Sequence, residues 1–143
     1  MTIARLSAGR SGPVWKISAE DSVADAVNLL AERRIGALPV EDAGVEVAGI
    51  LSERDVLYAL RRYGAEVLQR KVREVMTAPV ISVSPDQSAL DALGLMTRRR
   101  FRHLPVVEGG RMVAFISIGD LVKYRIERIE AEAEAMRTFI QSA

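Results

Sequence analysis

Apolar residues recur along this chain in two rhythms, and the same succession of rhythms occurs twice. Val23, Ala26, Val27 and Leu30 fall on one helical face, and so do Ala89, Ala92, Leu93 and Met96. Each helical stretch follows a short extended piece, 14–17 and then 80–83, and a polar start. Ser22 and Ser88 suit N-caps, while Asp21 and Asp86 suit the positive end of a helix dipole. Arginine runs at 33–34 and 98–100 suit the negative C-terminal ends. Beyond each run two strands are predicted around a Gly-containing turn, 37–40 with 45–51 and 103–107 with 112–116. A second helix then starts near Asp55 and again near Asp120. The unit reads β-α-β-β-α.

Sliding the chain by 66 residues lays 17–40 on 83–106, and ten of the twenty-four pairs are identical. Composition alone would give about one or two matches, so the pattern is a duplication. Past the turn the offset becomes 65, and Gly49-Ile50-Leu51-Ser52-Glu53-Arg54-Asp55 meets Ala114-Phe115-Ile116-Ser117-Ile118-Gly119-Asp120. A period present only twice points to two pseudo-symmetric halves rather than a solenoid. The predicted fold is α/β, in the α+β sense, with the halves packed through their sheets over a shared core. Neither half, at roughly 60 residues, would bury enough surface alone. The expected divisions are an N-terminal segment at 1–12, repeats at 13–62 and 79–124, a linker helix at 63–78 and a C-terminal helix at 125–143.

That last helix has no Gly or Pro from Leu121 to Gln141. Val122, Ile126, Ile129, Ala133, Met136 and Ile140 recur at spacings of 4 and 3, an apolar seam with Arg125, Glu127, Arg128, Glu130, Glu132 and Glu134 outside it. Such a helix either folds back on its own core or pairs with another.

Composition narrows the chemistry. With 49% hydrophobic and 27% charged residues, the 143-residue chain can pack a core. Twenty Lys and Arg against nineteen Asp and Glu leave +1, too balanced for a dedicated nucleic-acid binder. Zero cysteines exclude disulfides, thiolate nucleophiles and Cys-bound metals. The single histidine, His103, argues against a His-based metal or acid–base centre. No apolar run is long enough for a signal peptide or for the roughly 18 residues of a membrane span, so a soluble cytoplasmic protein is expected. A nucleotide-processing enzyme finds no P-loop and no nucleophile–base pair here. Nucleic acid is a further alternative, through Arg98-Arg99-Arg100-Phe101-Arg102 or through Arg61, Arg62, Arg70, Lys71 and Arg73. The second set reads first as a solvated face balanced by Glu66 and Glu74.

These residues resemble a known family. Ala37-Leu38-Pro39-Val40 with Gly49 to Asp55, and Arg102-His103-Leu104-Pro105-Val106-Val107 with Ala114 to Asp120, are similar to the two copies of a tandem cystathionine β-synthase (CBS) domain pair, the Bateman module. Val75-Met76-Thr77 resembles the lead-in that usually precedes a copy. The likeness runs from about Pro13 to Tyr124, and extends to small bacterial proteins built of one such pair. It implies a non-catalytic signal-transduction module with two clefts, each drawing residues from both repeats. The implied regulatory ligand is an adenosine nucleotide (AMP, ADP, ATP or NAD) or S-adenosylmethionine. A homodimer formed through helices, and an unnamed protein partner that reads the bound state, are implied as well.

On the matching positions, Asp55 and Asp120 take the two ribose hydroxyls, for which a carboxylate offers two acceptor oxygens. Ser52 and Ser117 meet phosphate together with helix N-terminal amides. Ser18 and Ser84 line the clefts, and Ile35-Gly36-Ala37 and Phe101-Arg102-His103-Leu104 flank adenine and phosphate. Structural alternatives stand beside these roles. Asp55 and Asp120 also suit helix N-caps, Ser18 and Ser84 suit turn hydrogen bonds, and His103 suits a structural donor. Three differences between the copies bear on phosphate contacts: Gly36-Ala37 against Arg102-His103, Lys16 against Ser82, and Arg54 against Gly119. Arg102 is always cationic and can hold phosphate oxygens bidentately, whereas His103 adds charge only if phosphate raises its pKa. Ala114 departs from the family's usual glycine, held by Gly49 in the first copy. The two sites are therefore expected to differ in affinity or ligand.

Overall fold

Serine caps and apolar spacing place the helices where the repeat predicts them. The computed structural model describes residues 1–8 and 14–142. In order these form α1 (Ile3–Ala8), β1 (Ile17–Ser18), α2 (Val23–Arg33), β2 (Ala37–Asp42), β3 (Val45–Ser52) and α3 (Glu53–Tyr63). Two 3-10 helices follow, Gly64–Gln69 and Val72–Glu74, then α4 (Ala89–Arg99), β4 (His103–Glu108), β5 (Arg111–Ser117) and α5 (Ile118–Ser142). Ser22 and Ser88 cap α2 and α4 by accepting from the Asp25 and Asp91 amides. Both helices stop at an arginine in left-handed backbone, Arg34 (φ 52°) and Arg100 (φ 59°).

In the first half β1 runs parallel to β2, and β2 pairs antiparallel with β3. In the second half β4 pairs antiparallel with β5. The extended piece predicted at 80–83 contracts there to a single bridge, with Val83 beside Val106. The Val83 amide donates to the Pro105 carbonyl (3.1 Å), and the Val107 amide donates to the Val83 carbonyl (2.8 Å).

The shared core resolves into two. One gathers Val23, Ala26, Leu30, Leu38, Val40, Leu51 and Val56 around the first sheet. The other gathers Ala89, Ala92, Met96, Leu104, Val106, Ile116 and Leu121 around the second. Leu-Pro-Val is structural in both, its Leu and Val fully buried. Between the halves Glu46 acts as a clamp, accepting from the Lys16 ammonium (2.9 Å) and from the Met112 amide of β5 (3.1 Å). Lys16 foremost, and then the Met112 amide, hold its carboxyl below the ordinary glutamate value.

Each core is closed by chain that precedes the other half. Val72, ahead of the second half, is buried in the first core; Ile3, ahead of the first half, is buried in the second. The hydrogen bonds match one for one at an offset of 69. Val72 donates to Asp21, as Ile3 does to Gln87 (both 2.8 Å); Arg73 donates to Ala19 (3.0 Å), as Ala4 does to Pro85 (2.7 Å). In return Val23 donates to Arg70 (2.9 Å), as Ala89 does to Met1 (3.0 Å). This exchange explains why the linker is not one helix over 63–78. Gly64 ends α3 at φ +73°, and Arg70 and Lys71 must be extended to bond 19–23. The linker cations are largely neutralised there. Arg70 pairs with Glu66 (3.1 Å) and Glu74 (3.4 Å), Lys71 with Glu20 (2.6 Å), and Arg73 with Glu20 and with Asp42 (3.2 Å).

The terminal helix does not fold back. At 25 residues α5 spans about 37 Å, and only Leu121 on it is buried. Ile126, Ile129, Met136 and Ile140 of the predicted seam are 50%, 49%, 66% and 68% exposed.

If the exchanged segments close the cores, Ile3→Ala destabilises the chain by about 2–5 kcal/mol, the range for buried Ile or Leu to Ala. Urea unfolding measures this, and a change below about 0.5 kcal/mol, ordinary for a surface position, is the contrary result.

Candidate functional site

Two clefts open where the halves meet, and pseudo-symmetry relates them. The first, about 370 Å³, lies within the range of about 300–1,000 Å³ common for small-molecule sites. Its walls come from both halves: Ser52 to Asp55 at the start of α3, and Thr77, Val80, Ile81 and Phe101 to His103 opposite. The second cleft holds the counterparts, with Ser117 at the end of β5 facing Val14, Trp15 and Ile35 to Ala37.

The sequence at the first cleft builds a specific cap. Ser52 is the N-cap of α3 and Asp55 the third residue in, forming a reciprocal box. The Asp55 amide donates to the Ser52 hydroxyl (3.2 Å), while the Ser52 amide (2.9 Å) and hydroxyl (3.0 Å) donate to Asp55 Oδ2. Oδ1 accepts from the Thr77 hydroxyl (2.9 Å). Asp55 is therefore both a capping residue and a carboxylate in a cavity wall. In the second half the Ser117 amide donates to Asp120 Oδ2 (2.8 Å), and the Asp120 amide donates back to the Ser117 hydroxyl (3.2 Å). Ser117 lines the second cleft directly, whereas Asp120, bonded to it at the start of α5, is not among the residues lining either cleft.

Of the residues singled out in the sequence, the first cleft brings together Gly36, Ser52, Arg54, Asp55, Phe101, Arg102 and His103. The second brings together Ile35, Gly36, Ala37, His103 and Ser117. Arg102 and Arg54 thus fall in the same cleft. Gly36 and His103 border both: a Cβ at Gly36 would sit 3.3 Å from the His103 ring and 2.8 Å from a Glu53 carboxylate oxygen. Gly119 packs near its own neighbour Ser117 and lines neither cleft.

Other candidates stand elsewhere. Lys16, Ser18 and Ser82 line a separate open groove beside the two hairpin turns, where Lys16 is held by Glu46. Ser18 makes the turn contacts weighed as its alternative, accepting from the Glu20 amide (3.2 Å). Ser84 likewise turns to its own neighbours, donating to Asp86 and keeping that carboxyl below its ordinary value. Neither serine faces the carboxylate of a cap. The Leu104 side chain is fully buried in the second core, so it fills no cleft wall.

The sequence reading gave no ligand role to several cleft residues, among them Trp15, Arg34, Glu53, Thr77, Arg99 and Arg100. A signal for Trp15 and Thr77 existed. The 66-residue offset extends back from 17, pairing Pro13-Val14-Trp15 with Pro79-Val80-Ile81 and Ser11 with Thr77. Ser11 and Pro13 lie outside the described residues. Among those described, no cluster of His, Asp and Glu could hold a metal ion, and no helix is long and apolar enough to cross a membrane.

Comparison with known proteins agrees with this architecture. The family model for the CBS domain matches residues 10–62 and 72–127. A mitochondrial CBS domain-containing protein of Arabidopsis thaliana, CBSX3, is 35% identical over 126 residues. That match covers 85% of this chain but 61% of the relative, so the chain spans less than two thirds of its length. A solved CBS-domain protein of Burkholderia ambifaria superposes with a TM-score of 0.83 at 39% identity, covering 89% of this chain and 95% of that one. CBSX2 solved in complex with AMP superposes with a TM-score of 0.73 at 25% identity, covering 88% and 96%.

Trp15 is the sole tryptophan and lines only the second cleft, with the Arg33 guanidinium 3.8 Å from its ring centre. A small molecule entering that cleft should alter tryptophan emission, whereas one entering the first should leave it unchanged. Fluorescence titration of Asp55→Ala and Asp120→Ala checks this. The signal persists in the first variant and is lost in the second; the reverse pattern contradicts the assignment.

Proposed function

We infer that this chain, which belongs to the CBS domain family as a tandem pair of repeats, is a non-catalytic regulatory module that binds adenosine ligands in the clefts between its halves. The observation that carries this reading is the first cleft. A carboxylate fixed by a helix cap and an arginine from the opposite half line one cavity of ligand size. A carboxylate suits a ribose cis-diol, and a guanidinium suits phosphate. AMP in complex with CBSX2, a solved relative, supports an adenosine ligand here. AMP, ADP, ATP, NAD and S-adenosylmethionine are the candidates.

The mechanism follows from what holds Asp55. Its Oδ1 accepts from Thr77, and the Thr77 backbone pairs with Ile50 of β3 in both directions (2.9 and 3.0 Å). A ribose hydroxyl arriving at Asp55 competes with Thr77, and so acts on the chain joining the halves. Phosphate at the same time draws Arg54 and Arg102 from opposite walls together. The ligand thereby favours one arrangement of the halves, by no more than its differential affinity for the two. A protein partner in the cytoplasm would read that shift.

The exposed stripe of α5 supports a homodimer. In a parallel pair the seam positions meet, and Arg125 faces Glu130 while Glu132 faces Arg137 of the other copy, all attractive.

Thermal shift with adenine nucleotides tests the ligand. At a hundred times the dissociation constant, binding stabilises by about 2.7 kcal/mol, a visible rise in melting temperature. Asp55→Ala and Asp120→Ala should each remove one cleft's share, and no shift with any adenine compound in the wild type refutes the reading. Light scattering at micromolar concentration should give a dimer that Ile129→Glu converts to a monomer; a wild-type monomer removes the role given to α5.

A further inference from the structure

The first cleft carries more positive charge than one phosphate needs. Arg54 from α3, Arg99 and Arg100 from the end of α4, and Arg102 ahead of β4 all line it. Among the described residues none of the four makes an ion pair, whereas Arg70, Arg73, Arg128 and Arg137 each hold a carboxylate. The acids in the same wall are Glu53 and Asp55, and Asp55 is already bonded to Ser52 and Thr77. Four cations against two acids leave the cleft wall with a positive surplus.

A helix-end role does not account for this. Arginines at the end of α4 complement its dipole, as Arg33 and Arg34 do for α2. That role says nothing of Arg54 or Arg102, which lie on other elements and open on the same cavity. The pseudo-symmetric positions around the second cleft are not equivalent. Arg54 corresponds to Gly119, Arg102 to Gly36, and Arg99 to Arg33, which stacks on Trp15. Of these counterparts only Arg34, matching Arg100, lines the second cleft with a guanidinium among the described residues.

Building on the adenosine reading, we propose that the first cleft selects a nucleoside carrying two or more phosphates, and that its arginines count phosphate charge. Asp55 holds the ribose end, while the four guanidinium groups, drawn from both halves, neutralise a chain longer than a monophosphate. Each phosphate adds negative charge where cations otherwise face one another, so affinity rises with phosphate number and falls with salt.

Calorimetric titration of the full-length chain with adenosine, AMP, ADP and ATP, without magnesium, tests this, with Trp15 emission reporting the second cleft separately. ATP should bind the first cleft about ten-fold tighter than AMP, with a steeper salt dependence. Arg99→Gln combined with Arg100→Asn should bring ATP down to about the affinity of AMP, asparagine being chosen because it tolerates left-handed backbone. Arg54→Gln, which should weaken ATP more than AMP and so narrow the gap between them, is the second test should the double variant fail to fold. AMP binding as tightly as ATP, or an ATP advantage that survives these variants, overturns phosphate counting while leaving the adenosine reading intact. Inorganic triphosphate binding as tightly as ATP overturns the nucleoside requirement. Absence of binding by every adenine compound overturns the underlying reading itself.

Discussion

Neither half of this molecule can keep water from its own core without chain that belongs ahead of the other. Val72 seals the first core and Ile3 the second, through the same set of backbone hydrogen bonds. A sheet of two or three short strands with two helices leaves one flank of the core open. The exchanged segments cover that flank, and the rest of the architecture follows from their path. The linker must leave α3, cross the first half in extended form and arrive beside β3 as Thr77. That path sets the first cleft, because Thr77 to Ile81 form one wall and the capped start of α3 forms the other.

The two clefts therefore share a frame and differ in what fills it. Caps made of serine and aspartate three residues apart recur in both. Around them, substitutions have moved charge to one side. The first cleft has Arg54 and Arg102 where the pseudo-symmetric positions are Gly119 and Gly36. The second has Trp15 where the first has Ile81. Gly36 and His103 meet between them, so a side chain added at Gly36 would press on both sites together.

The repeat, the helical faces and the cap residues were legible in the sequence because they depend on short-range periodicity. Ser22 and Ser88 could be placed from spacing alone, whereas spacing offered Asp55 and Asp120 as N-caps and the cap of α3 is Ser52, with Asp55 three residues on. The exchange of segments was not legible, since Met1 to Ala4 and Arg70 to Arg73 share only an apolar third position. Their likeness lies in backbone hydrogen bonds, which any residue but proline permits at the donating positions. Ser18 and Ser84 recur as faithfully as the cap serines, yet they serve turns; identity at a repeated position does not separate a turn from a wall. The partition of Arg54 and Arg102 into one cleft needed the pseudo-twofold arrangement, which spacing does not contain.

The reciprocal lead-ins have a consequence for ancestry. In this arrangement each copy's own leading arm lies on its neighbour, not on itself. A lone ancestral copy built the same way would close only by trading arms with a twin, at a concentration-dependent cost. Joining two copies in one chain makes the trade intramolecular, at the high effective concentration that a short tether provides. Fusion also frees the twins from identity. Once one gene encodes both, each groove can acquire its own residues without spoiling the other, a freedom that a symmetric pair lacks.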